Sequence, residues 1–195
     1  MGEAERVADA PARTSRRGLT IGLLLSVGAV AFEAMAVATA MPAAAADLGD
    51  LDLYAWTFSA FMLASTFATV AAGRFSDRFG PKPPMVVGFA VFAVGLVVSA
   101  LAPTMPVLLA GRFIQGLGGG TMNLTVMVLV ARVFDERERA LVITGFSAAW
   151  MVPSFVGPPV AAWLTTALSW HWVFWSVLPL MAIGGGLIAG PLRRV

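Results

Sequence analysis

Cysteine is absent from this sequence, which excludes disulfides, thiolate nucleophiles and cysteine metal ligands and leaves the redox compartment open. Charge is scarce too: Asp, Glu, Lys and Arg make up 12% of the residues, roughly half the share of an ordinary soluble domain. A water-soluble chain of this length would need more polar side chains to cover its surface. Catalytic signatures are also missing. There is no phosphate-cradling GxxxxGKS/T, no HExxH and no pair of carboxylates in a water-facing domain, so neither an enzyme nor a cofactor or metal site is expected. His171, the single histidine, stands among tryptophans and reads as interfacial.

What the chain has instead is oil. Hydrophobic residues account for 58% of it, and the mean hydropathy is +0.83. Residues 19–32, 54–73, 83–111, 113–131 and 140–170 contain no Asp, Glu, Lys or Arg. A helix needs roughly 20 mostly apolar residues to cross a hydrocarbon layer of ~30 Å, whereas barrel strands would be shorter and alternate polar with apolar. The expectation is an all-α membrane protein with six spans near 19–41, 54–72, 84–101, 106–131, 140–165 and 172–190. The first span is too long for a signal-peptide core and reads as retained. Pro42, residues 101–106 and 165–169 are the expected breaks at one end, and residues 73–83 and 132–139 those at the other.

Basic residues fall on one side of this arrangement. Arg6, Arg13, Arg16 and Arg17 precede span one; Arg74, Arg78 and Lys82 follow span two; Arg132, Arg137 and Arg139 follow span four; Arg193 and Arg194 follow span six. The opposite loops carry no Lys or Arg and hold Asp47, Asp50 and Asp52. The positive-inside rule then places both termini in the cytoplasm. Residues 1–18 read as a basic cytoplasmic tail, 19–190 as the bundle and 191–195 as a short basic tail. A pI near 9.9 invites acidic partners, but basic residues spread over the loops of one face suit membrane lipids and not nucleic acid. Tyr54, Trp56, Trp163, Trp170, Trp172 and Trp175 fall at the acidic ends of their spans, as an aromatic belt would, while mid-span Trp150 is expected to pack internally.

Two charges remain inside. Glu33 and Arg112 each lie an estimated ~10–12 Å below the acidic boundary, on spans running in opposite directions. A charge within the membrane costs at least a few kcal/mol and ordinarily faces a partner or an aqueous cavity. The pair is expected to line one central cavity and to interact, with protonation of Glu33 releasing Arg112; a static ion pair joining two helices is the alternative. Arg112, Gln115, Gly119 and Asn123 recur every three or four residues down one helix face. Gly116, Gly118, Gly119 and Gly120 remove bulk, so a neighbouring helix can approach closely. In span five, Pro153, Pro158 and Pro159 lack backbone donors and are expected to bend or break the helix.

These residues together resemble the major facilitator superfamily of secondary transporters, in particular its proton-coupled drug-exporter branches. The resemblance runs from Leu19 to Leu192 and covers the amino-terminal six-helix half of a complete member. Gly73-Arg-Phe-Ser-Asp-Arg-Phe-Gly-Pro-Lys82 is similar to the family's loop between helices two and three. That likeness implies a cytoplasmic gate of Gly73, Asp77, Arg78, Gly80 and Lys82, with Pro81 where a second basic residue is common. Leu109 to Gly120 resembles the fourth-helix motif, whose arginine, here Arg112, the family implicates in proton coupling. Ala40-Met41-Pro42 resembles the end of the first-helix motif, with Glu33 in place of an aspartate at a displaced position. Gly157-Pro158 and Trp170-His171-Trp172 resemble exporter patterns, His171 standing where arginine is usual.

The resemblance implies half of a major facilitator fold, made of two three-helix repeats, in the plasma membrane. It further implies secondary active, proton-coupled efflux of a small organic solute by alternating access, completed by a second six-helix half or another copy of the chain. The alternative is a noncatalytic membrane interaction or assembly module. A channel ranks below both, because no charged ring or carbonyl filter is visible.

Overall fold

The computed structural model describes the backbone of residues 3–192 and the side chains of residues 17–190. Six helices follow in order: α1 (Glu3–Leu48), α2 (Tyr54–Phe79), α3 (Lys82–Ala100), α4 (Met105–Val133), α5 (Glu136–Ala167) and α6 (His171–Leu192). All six are long and apolar enough to cross a membrane.

The helices run further than the apolar spans, and the differences have local causes. Residues 3–18, expected as a tail, continue α1 as helix; their many Ala, Glu and Arg residues favour that conformation. At its other end α1 passes straight through Pro42 to Leu48, so the break expected there is absent. Proline removes one donor, and that loss does not end a helix held by packing on both sides. The loop expected over 73–83 shrinks to two residues. Most of it is the last turns of α2, which stops where Gly80 takes φ +80° and donates its N–H to the Ser76 carbonyl at 2.9 Å. Pro81 then leads into α3, whose first turn carries further prolines, where a missing donor is harmless.

Between α4 and α5 the acidic residues have a structural use beyond interleaving with arginines. Asp135 caps α5: its Oδ1 accepts from the Glu138 N–H at 2.9 Å, and the Glu138 side chain reaches back to the Asp135 N–H. This capping box satisfies donors that would otherwise be orphaned. Helix α5 is continuous through Pro153, Pro158 and Pro159, so of the expected bend or break the break is absent. Hydroxyls take part in the local bonding, with Ser154 donating to the Trp150 carbonyl at 2.8 Å, the kind of adjustment that lets membrane helices keep proline.

The packing is two-fold in character. Helix α4 packs mainly on α2 and α3, and α1 packs in the same way on α5 and α6. Helices α3 and α6 touch each other, α1 touches α4 lightly, and α2 and α5 do not meet among the described residues. Exchanging each helix with the one three places later reproduces this pattern, so the unit is two three-helix repeats. Apolar side chains fill it in two layers. One at the acidic end includes Met41, Phe92, Leu108 and Phe174; the other, at the basic end, includes Leu19, Leu23, Met85, Leu129 and Ile188. Helices α2 and α5 leave large apolar side chains outward, among them Phe67 at 70% exposure and Phe155 at 75%. Such surface suits lipid or further protein, not water.

The aromatic residues divide. Trp56, Trp163 and Trp172 are exposed near the acidic end, but Trp170 is buried and donates its indole N–H to Asp47 at 2.9 Å. His171 stacks on it with ring centres 3.6 Å apart. Trp150, expected to pack internally, is 43% exposed and faces outward from α5.

Candidate functional site

Glycine brings α4 close to two neighbours and so sets the position of everything polar on it. A methyl group on Gly116 or Gly120 would overlap the Phe61 or Ser65 carbonyl of α2, and one on Gly118 would overlap the Phe92 backbone of α3. Small residues at this spacing let helix backbones meet without hydrophobic force between them. Gly119 differs. A methyl there would rest in ordinary contact, 3.4–3.6 Å from the Phe61 and Phe92 rings.

On the same helix Arg112 and Gln115 turn inward, and the structure brings them against Glu33 of α1. Arg112 Nη1 donates to Glu33 Oε1 in a buried ion pair and also to Gln115 Oε1 at 3.0 Å. Gln115 Nε2 donates to the same carboxylate oxygen at 3.3 Å. Ser99 of α3 completes the cluster by donating its hydroxyl to Gln115 Oε1 at 3.2 Å. The Gln115 amide is thus used at both ends, its oxygen taking two donors and its nitrogen serving the carboxylate. The Arg112 guanidinium carbon also lies 4.5 Å from the centre of the half-buried Phe61 ring.

This cluster is enclosed. Glu33, Gln115 and Ser99 are each 0% exposed and Arg112 3%, so the cluster is covered by packing from α1, α2, α3 and α4. Two atoms stay without a hydrogen-bond partner, Glu33 Oε2 and Arg112 Nε. The carboxylate is therefore lopsided, with both its donors on Oε1. Pairing offsets the cost of placing either charge in a low-dielectric interior, and removing one partner would strand the other.

Other expected site residues lie apart from this cluster. Asn123, two helical turns beyond Gln115, is exposed on α4. Gly73 sits in α2 with the Leu124 side chain 3.4 Å from where a methyl would be. Asp77 is exposed and makes no hydrogen bond or ion pair among the described residues, while Arg78 lies over the Phe79 ring at 5.2 Å. Gly80 ends α2 and Lys82 starts α3. Pro153 and Gly157 are buried on α5, and Pro158 half-buried; a methyl on Gly157 would come within 3.0 Å of Met35 on α1, which makes it a close-packing position. Sequence reasoning missed Ser99 and Phe61. Ser99 had a signal, being the only hydroxyl in α3; Phe61, one of 13 phenylalanines, had none.

Six spanning helices in two repeats, with an ion pair closed inside, define a multi-pass membrane protein. The chain belongs to the Major Facilitator Superfamily, whose family model matches residues 23–194. It is 36% identical over 183 residues to the acurin A biosynthesis cluster MFS-type transporter of Aspergillus aculeatus, an alignment covering 91% of this chain and 33% of that protein. It is 32% identical to the multidrug transporter protein MdtP of Bacillus subtilis, over 93% of this chain and 34% of the relative. With the efflux pump dotC of Dothistroma septosporum it shares 32% identity, over 86% and 29%. The chain thus spans about a third of the length of the curated relatives it matches.

Proposed function

We propose that this chain is the gating and coupling unit of a secondary transporter that expels small amphipathic organic solutes in exchange for protons. The observation that carries the proposal is the buried Glu33–Arg112 pair with its one-sided hydrogen bonding. Glu33 Oε2 can take a proton without first losing a donor. A neutral carboxyl then no longer balances Arg112, whose charge must find another partner or water. That need favours movement of α4 relative to α1, which touch only lightly. Relatives named as multidrug transporter and efflux pump support the solute class and the direction.

In this reading the unit works against a second six-helix half or another subunit, alternately exposing a central site. It lies in the plasma membrane with both termini cytoplasmic, and Asp77, Arg78 and Lys82 close the cytoplasmic side. Asp77, without a partner among the described residues, is free to bond outside this unit. The tight enclosure of the cluster favours a second reading, in which the ion pair only pins two helices of a membrane assembly module.

Transport in proteoliposomes separates the two. Ethidium movement driven by an imposed pH gradient is measured for the wild-type chain and for Glu33→Gln. The coupling reading requires proton-driven flux in the wild type and its loss in the variant, with pH dependence abolished. Equal flux and pH dependence in both, or no flux from the folded wild-type chain even when a second six-helix half is reconstituted with it, favours the pinning reading.

A further inference from the structure

Helices α3 and α6 pack together, yet between them lies a groove of about 540 Å³ whose walls carry no polar side chain. Met85, Val86 and Phe89 form one wall; Met181, Gly185 and Gly186 belong to the other. The lining positions reach Ala93 on α3 and Leu178 on α6. Measured along α3 from Lys82, that is eleven residues, or about 16 Å, the depth of one leaflet of a ~30 Å hydrocarbon layer. The groove therefore begins at the basic end of the bundle and runs about halfway across the membrane.

Its mouth is positively charged. Lys82 precedes Met85 and Val86 by three and four residues and so shares their face of α3. It has no ion pair or hydrogen bond among the described residues. Polar headgroups and an acyl chain have the complementary shape: anionic oxygens at the mouth and hydrocarbon below it.

We infer that the α3–α6 groove is a binding site for an anionic phospholipid, with one acyl chain lying along Phe89 and Gly186 and the phosphate at Lys82. Gly186 has open space where a side chain would project, with nothing within 4 Å. A phenylalanine there has room for its Cβ and is expected to place its ring in the groove. Basic side chains at a membrane surface favour anionic lipid by about fivefold each, which sets the scale of the headgroup preference. The site shares Lys82 with the proposed cytoplasmic gate, but lipid retention is read without proton coupling or any solute.

The test counts lipids retained by the purified full chain, using native mass spectrometry after incubation with phosphatidylglycerol or phosphatidylcholine of identical acyl chains. The wild type is expected to keep one phosphatidylglycerol at least about fivefold more often than phosphatidylcholine. Gly186→Phe should lose that bound lipid, and Ala90→Phe, on the opposite wall, should do the same if the first variant folds poorly. Lys82→Gln should keep lipid but drop the preference for phosphatidylglycerol. Equal retention of both lipids by the wild type, or unchanged retention in a folded groove-filling variant, overturns the site. The absence of native cysteine allows one further check. Disulfide-linked pairs of Ala90→Cys chains in membranes would show that a second copy covers the groove, and would also overturn it.

Discussion

The guanidinium carbon of Arg112 stands 4.5 Å from the centre of the Phe61 ring, so one cation is held by an aromatic face from α2 as well as by Glu33 from α1. In a desolvated setting such a contact contributes about 2 kcal/mol. Phe61→Leu keeps most of the apolar volume and removes the negative ring face. It should lower stability in detergent by about 1–2 kcal/mol, read as a shift in the unfolding midpoint. A midpoint unmoved by that change would mean that Phe61 serves only as packing.

The ion pair predicts a coupled response. Arg112→Leu leaves the Glu33 carboxylate buried without its cation and should cost about 3–5 kcal/mol. Glu33→Leu strands Arg112 in the same way. Replacing both removes the buried charges together, so the double variant should be less damaged than the sum of the singles. Equilibrium unfolding of all four proteins measures the coupling energy, and simple additivity would show that the two side chains act independently.

How much of this was readable beforehand depended on the kind of signal. The six spans stood out because lipid demands long uncharged runs, and the meeting of Glu33 with Arg112 followed from two costly charges at matching depth. Helix ends were less visible. Gly73 to Phe79 looks like a loop because it is charged, but charge alone does not end a helix; the φ of Gly80 does. Pro42 looked like a break, and Pro153 and Pro158 like a bend or a break, because the pattern shows the missing donor and not the tertiary packing that keeps the chain helical. Trp170 looked like a belt residue, and its burial depends on Asp47, which is near it only after α1 has run past Pro42. The polar cluster is completed by Phe61 and Ser99 from two other helices, Ser99 marked only as the one hydroxyl of α3 and Phe61 by nothing.

The glycine run of α4 gives a positional contrast. Gly118→Ala and Gly120→Ala would drive a methyl into backbone atoms of α3 and α2, so each should destabilise by about 1–3 kcal/mol. Gly119→Ala meets only ring edges at 3.4 Å or more and should stay within about 0.5 kcal/mol of the wild type. Thermal unfolding of the three variants checks the order. A Gly119 variant as damaged as the other two would mean that flexibility, and not close approach, is what the run provides.

The cap of α5 makes a local prediction. Asp135→Ala removes the acceptor for the Glu138 N–H and should cost about 1 kcal/mol. Asp135→Asn retains an acceptor and should lose much less. Hydrogen exchange is the sensitive measurement, since the effect belongs to the first turn of α5: the amide of Glu138 should exchange faster in the alanine variant while mid-helix amides near Gly157 stay protected. Uniform acceleration along α5 would mean that the helix frays as one unit and that the cap is not what fixes its start.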